Sequence, residues 1–148
     1  MRVALGSDHA GYNLKEQVKV HLQARDIASA DFGTFCDSSV DYPDIAMPVV
    51  QGVRDGDFQL GILICGSGAG MAIAAGKYKG IRAVLCGEPY TARLAREHND
   101  ANVLALGAWV TGAGLAMEII DTFLNTKFAG ERHLKRLNKI MMIENKES

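Results

Sequence analysis

The stretch Leu60-Gly61-Ile62-Leu63-Ile64-Cys65-Gly66-Ser67-Gly68-Ala69-Gly70 decides the fold. Its first six residues are apolar without alternation, as a strand covered on both faces requires. Alternate glycines follow, then an Ala-rich helical run to about Lys77. A two-faced strand running through a tight glycine turn into a helix is the repeating unit of a parallel α/β sheet. The rest of the chain reads the same way. Arg2 to Leu5 is a short strand ending at Gly6-Ser7-Asp8, and Gly11 to Arg25 carries Leu14, Val18 and Leu22 at helical spacing. Ile27 to Phe32 is a second strand. Asp41-Tyr42-Pro43-Asp44 is a turn that starts a helix with Ala46, Val49, Val50 and Val53 on one face.

Beyond the glycine loop, strands are expected at Ile81 to Leu85 and Val103 to Leu106. Helices are expected over Glu88 to Glu97, over Thr111 to Leu124 with Leu115, Ile119, Ile120 and Phe123 inward, and over Arg132 to Ile143 with Leu134, Leu137 and Met141 on one face. This alternation predicts an α/β protein: a single Rossmann-like three-layer α/β/α domain over 1–148, with a five-stranded parallel sheet and a C-terminal helix.

Composition narrows the function. The 148 residues are 48% hydrophobic and 22% charged, close to the globular average. Sixteen Lys and Arg face 17 Asp and Glu, a net charge of −1. That balance argues against a nucleic-acid or membrane-surface partner, which needs a positive field. A small anion needs only two or three local cations. No apolar run approaches the roughly 18 residues of a membrane helix, and the first residues do not read as a signal peptide. Three widely spaced cysteines form no disulfide framework and no Cys-x-x-Cys pair. These features predict a cytoplasmic enzyme or binding protein with reduced thiols.

Ligands of such sheets sit beyond the carboxyl ends of the strands. Ser7-Asp8-His9, Cys65-Gly66-Ser67-Gly68, Cys86-Gly87-Glu88 and His98-Asn99-Asp100 all adjoin strands, so one crevice is expected to gather them. In the loop Cys65 to Gly70, alternate glycines let successive N–H groups point inward as an anion nest. Cys65 at its mouth would feel the same field, which favours thiolate. A thiolate beside such a nest can remove a proton from carbon next to a carbonyl, with the N–H groups holding the enediolate. The plainer reading makes Cys65 a small buried hydrophobe and the glycines a tight turn. Cys36 and Cys86 read as structural. A dinucleotide fingerprint competes, because Gly66 and Gly68 fit its first two glycines. Met71 occupies the third position, however, and the loop follows the third strand rather than the first.

His9 beside Asp8 could be a base, a phosphate donor or a metal ligand. His98 closes a helix before a strand. His21 reads as surface, and His133 flanks a basic pair. The spacings match no compact metal motif, so no metal is expected. Arg132 and Arg136 are four apart, on one helical face. They lie near the positive end of their own helix, where cations are disfavoured, which suggests an anionic partner. A solvated face is the alternative.

Taken together, Ser7-Asp8-His9-Ala10-Gly11, Asp41-Tyr42-Pro43-Asp44, Cys65-Gly66-Ser67-Gly68-Ala69-Gly70-Met71, Gly80-Ile81-Arg82-Ala83 and Arg96-Glu97-His98-Asn99-Asp100-Ala101-Asn102 resemble the type B ribose-5-phosphate isomerase family, which includes the galactose-6-phosphate isomerase subunits. The resemblance runs from about Arg2 to Ile143. It implies a metal-free, cofactor-free aldose–ketose isomerase that interconverts ribose 5-phosphate and ribulose 5-phosphate through a cis-enediol. In that reading Cys65 is the base and Ser67, where the family usually has threonine, helps shuttle or polarise. The N–H groups of Gly66, Gly68 and Gly70 hold the enediolate oxygen. His98 opens the furanose ring with Asp8 assisting. Tyr42 and Asn99 contact the sugar, and His9, Arg132 and Arg136 bind phosphate. It also implies a homodimer with sites shared between subunits, or a tetramer.

Three positions depart from the family pattern. Trp109 stands where an arginine is usual, Glu131 where a glycine is usual, and Gly76 where an asparagine is usual. The alternatives are therefore an isomerase of another sugar (galactose 6-phosphate, allose 6-phosphate or an unphosphorylated aldose) and a non-catalytic module that binds a nucleotide or sugar phosphate.

Overall fold

The computed structural model describes residues 1–147. Five parallel strands, β1 (Arg2–Ser7), β2 (Ala28–Asp31), β3 (Leu60–Cys65), β4 (Ala83–Leu85) and β5 (Val103–Gly107), form one sheet in the order β2-β1-β3-β5-β4. Six helices connect and flank them: α1 (Tyr12–Gln23), α2 (Tyr42–Arg54), α3 (Ala69–Ala75), α4 (Pro89–Asn99), α5 (Ala113–Asn125) and α6 (Leu134–Lys146). A 3₁₀ turn at Glu131–His133 leads into α6. Among the described residues, no helix is long and apolar enough to cross a membrane.

The two-faced strand is where the sequence places it. Every residue of β3 is buried. Leu60, Ile62 and Ile64 face a core shared with α1, α4 and α5, while Leu63 and Cys65 face a second core made by α2 and α3. Neighbouring strands repeat the division, with Val3, Leu5, Leu104 and Leu106 on the first face and Ala4, Val103 and Ala105 on the second. The helices supply their stripes at 3-and-4 spacing: Val49, Val50 and Val53 from α2, and Ala116, Ile119, Ile120 and Phe123 from α5.

Several details differ from the sequence reading. Only Ala83 to Leu85 pair within the expected fourth strand. Ile81 is buried ahead of it, and the Arg82 backbone is held by Asn102. In α5 the small Ala116, not Leu115, occupies the buried position, and Leu115 is exposed. In α6 only the middle of the expected stripe is covered: Leu137 is buried, while Leu134 and Met141 are exposed. His21 is not a free surface side chain. Its Nε2 lies 2.7 Å from Asp121 Oδ1 and ties α1 to α5.

Candidate active site

Strand β3 ends at Cys65, and the chain turns at once. Gly68 takes φ +81°, a left-handed conformation that glycine adopts without strain, and caps α3. The turn brings the Gly68 N–H to 3.1 Å from Cys65 Sγ. Cys65 is 4% exposed, so its sulfur forms the floor of the turn rather than the mouth. Ser67 is exposed, and its Oγ accepts the Ala69 N–H at 3.2 Å. Two aromatic rings flank this loop. A β-carbon at Gly70 would lie 2.7 Å from Tyr42 Cζ, and one at Gly66 would lie 2.6 Å from the Trp109 indole. Both rings therefore rest on the loop's backbone. The Trp109 N–H also donates to the Gly66 carbonyl at 2.9 Å, yet its side chain remains 78% exposed.

Strand β1 delivers its polar end beside this loop, since Ser7 pairs with Ile64. Asp8 is buried, and its Oδ1 accepts the Gly11 N–H at 3.0 Å, closing the turn into α1. His9 is half-buried, and its Nδ1 accepts the Val40 N–H at 3.2 Å. With Nδ1 an acceptor, the neutral ring carries its hydrogen on Nε2. Asp8, His9, Tyr42, Cys65, Ser67 and the loop glycines thus share the carboxyl edge of the sheet.

His98 and Asn99 lie elsewhere. Helix α4 runs antiparallel to the strands, and its last turn precedes β5. Asn102, just before β5, bonds Gly61 and Arg82, which stand at or before their own strands' starts. Cys65 pairs with Gly107 at the far end of β5. Four strand steps separate the two edges, about 13 Å. The single crevice expected from the sequence is therefore two half-sites on opposite edges of one chain.

The amino-edge half contains a second cluster. The His98 ring stacks on the His133 ring, with centroids 4.3 Å apart and planes 13° apart. Arg132 Nε donates to His133 Nε2 at 3.4 Å. Burial, followed by the charges of His98, Arg132 and Arg136, holds the His133 imidazole below its ordinary range. Arg132 lies in the 3₁₀ turn and Arg136 in α6, yet both line one cleft of about 590 Å³ with Glu131, Lys135 and Lys139. The basic pair is thus brought together, with a carboxylate on its rim. Glu131 adopts φ +46°, in the left-handed region.

The two remaining thiols differ. Burial, then the Glu88 carboxylate, pushes the Cys86 thiol up to about 11. Cys36 is exposed rather than packed, and hydrogen bonds from Ser38 pull its thiol down. Lys15, a residue type that argues for solvent, is wholly buried. Its signal was present: Lys15, Val18 and Leu22 stand three and four apart, on the inward face of α1.

A doubly wound sheet with a cysteine under a glycine turn at its carboxyl edge defines an α/β enzyme scaffold for a small ligand. The Ribose/Galactose Isomerase family model matches residues 3–140, and the chain belongs to that family. It is 45% identical over 147 residues to ribose-5-phosphate isomerase B of Escherichia coli (strain K12), covering 99% of each chain. Its fold matches the structure of Clostridium thermocellum ribose-5-phosphate isomerase B with a TM-score of 0.99 at 50% identity, over 100% of both chains. It also matches Mycoplasma genitalium ribose-5-phosphate isomerase B, solved with bound ribulose-5-phosphate. There the TM-score is 0.92 at 40% identity, over 97% of this chain and 96% of that one.

Proposed function

We propose that this chain interconverts ribose 5-phosphate and ribulose 5-phosphate by proton transfer through a cis-enediol. One observation carries the reading: Cys65 Sγ accepts the Gly68 N–H of a glycine turn at the sheet's carboxyl edge. The Cys65 thiolate takes the proton from sugar carbon 2. The electron pair of that C–H bond becomes the second bond between carbons 1 and 2, and the carbonyl oxygen on carbon 1 takes up negative charge. The N–H groups of Gly66 and Gly70 receive that oxygen, while the Gly68 N–H, expected from the sequence to join them, stays on Cys65 Sγ. Ser67 moves the hydroxyl proton between the two oxygens. Cys65 then returns its proton to carbon 1, leaving a ketone at carbon 2.

His98 opens the furanose by taking the anomeric hydroxyl proton while the ring oxygen gains one, and Asp8 assists there. Tyr42 and Asn99 hold the sugar, and His9, Arg132 and Arg136 hold phosphate. This division requires both half-sites at one ligand, so a homodimer is proposed in which each chain lends its amino-edge half to its partner. Two observations support the dimer: the separation of the half-sites across the sheet and the exposed apolar side chains Ile140, Met142 and Ile143 on α6. The three free thiols fit a reducing compartment such as the cytoplasm.

Cys65→Ala should abolish exchange of solvent deuterium into the transferred position, measured by mass spectrometry of the sugar. Undiminished exchange would refute the base. An unphosphorylated aldose is the second reading, favoured by the uncharged Trp109 at the loop and Glu131 in the basic cleft. Arg136→Ala separates the two: a raised KM for ribose 5-phosphate supports the phosphate, and an unchanged KM with equal turnover of free ribose supports the alternative.

A further inference from the structure

Lys15 is fully buried, among the largest of the described side chains to be so. A lysine ammonium is almost never fully buried unless it is paired. Its Nζ stands 2.5 Å from Asp31 Oδ2 and 2.8 Å from Glu16 Oε1. It also lies 5.5 Å from the Tyr12 ring centroid and 5.6 Å from that of Phe35. Lys15 is on α1, Asp31 ends β2, and Phe35 lies in the segment that follows β2. One cation therefore joins three parts of the chain. Asp31 continues the link, since its Oδ1 accepts the Gly33 N–H at 2.9 Å. The Thr34 N–H donates to the Ser7 carbonyl at 2.6 Å, which fixes the segment's near end on β1. Its far end is the Val40 N–H on His9 Nδ1. Lys19 Nζ, 2.8 Å from Asp31 Oδ2, leaves that carboxylate a second partner when Lys15 is changed.

We propose that Lys15 is a positioning residue for His9: its buried ammonium pins residues 33 to 40 so that the Val40 N–H holds the His9 ring with Nδ1 as acceptor and Nε2–H free to donate to substrate phosphate. The phosphate contact rests on the reading above, whereas the ring's orientation does not. A hydrogen-bonded tautomer set by a neighbouring group is how a histidine is aimed. The energetic logic is preorganisation, because a ring already oriented loses less freedom on binding.

The test is nitrogen-15 NMR of the histidine rings in the full-length protein, with steady-state kinetics alongside. In the wild type, His9 should show protonated Nε2 and bare Nδ1. Lys15→Met should give an averaged tautomer signal for His9 and raise KM for ribose 5-phosphate by about fivefold with kcat nearly unchanged. Val18→Ala in the same helix should lower the melting temperature and leave the His9 signal alone, separating positioning from loss of stability. A wild-type His9 spectrum in folded Lys15→Met overturns the proposal. If Lys15→Met does not fold, Phe35→Leu decides, because Phe35 is 69% exposed and its loss spares the core. A displaced His9 signal there supports the proposal and an unchanged one overturns it. His9→Ala tests the underlying reading separately. An unchanged KM in that variant removes the phosphate role, and the ring spectrum of Lys15→Met still decides the positioning.

Discussion

Three cysteines of one chain occupy three environments, and their chemistry follows from those environments rather than from the residue type. Cys36 is exposed with its thiol drawn down by Ser38, and Cys86 is buried with its thiol pushed up to about 11. Limited iodoacetamide at about pH 8 should therefore modify Cys36 first and leave Cys86 unmodified in the native protein, because thiolate is the nucleophile. Peptide mass spectrometry reads the order, and equal labelling of Cys36 and Cys86 would contradict it. Glu131 is a second residue governed by its surroundings. An L-residue at φ +46° is strained, and this one also places a carboxylate beside Arg132 and Arg136. Glu131→Gly should raise the stability measured by urea denaturation by up to about 1 kcal/mol and lower KM for ribose 5-phosphate.

At the scale of elements, the short turn before α6 carries a pH dependence. His133 is held below its ordinary value of 6.5, first by burial and then by coupling to its stacked neighbour His98 and to the Arg132 and Arg136 guanidinium groups. The unfolded chain keeps this proton at a pH where the folded protein has released it. Stability from this group is thus present above 6.5 and is lost as pH falls through the lower folded value. Moving from about pH 7.5 to about pH 5.5 should lower the wild-type urea midpoint more than that of His133→Gln, by chemical denaturation followed by circular dichroism. Equal losses would assign the acid sensitivity to other groups. The elements themselves were largely legible. Strand β3 declared itself because it is apolar on both faces, and α5 because Ile119, Ile120 and Phe123 keep helical phase. Leu115 misled because an alanine one position on carries no hydrophobic weight and still fills the contact. Leu134 and Met141 misled because an apolar face is written for whatever covers it, and periodicity does not say whether that lies in the same chain.

For the whole molecule, the position of His98 matters most. Its local motif is legible in the sequence, but its edge of the sheet is not. The rule that ligands gather at carboxyl ends concerns the loops that leave strands, whereas His98 lies in a helix that arrives at one. Chain direction therefore separates it from Cys65 by the length of β5. The proposed dimer makes a quantitative claim from this separation. Mixing inactive Cys65→Ala with inactive His98→Asn and allowing exchange should restore about a quarter of wild-type activity, since half the dimers are mixed and each has one intact site of two. No recovery after verified exchange would place both residues' work within one chain.

A sheet that commits both of its ends leaves no idle side. In a self-sufficient doubly wound domain the loops entering the strands can lengthen or be replaced, because nothing catalytic depends on them. In the proposed dimer, an insertion between Asn99 and Val103 would displace the His98 imidazole from the partner's ligand.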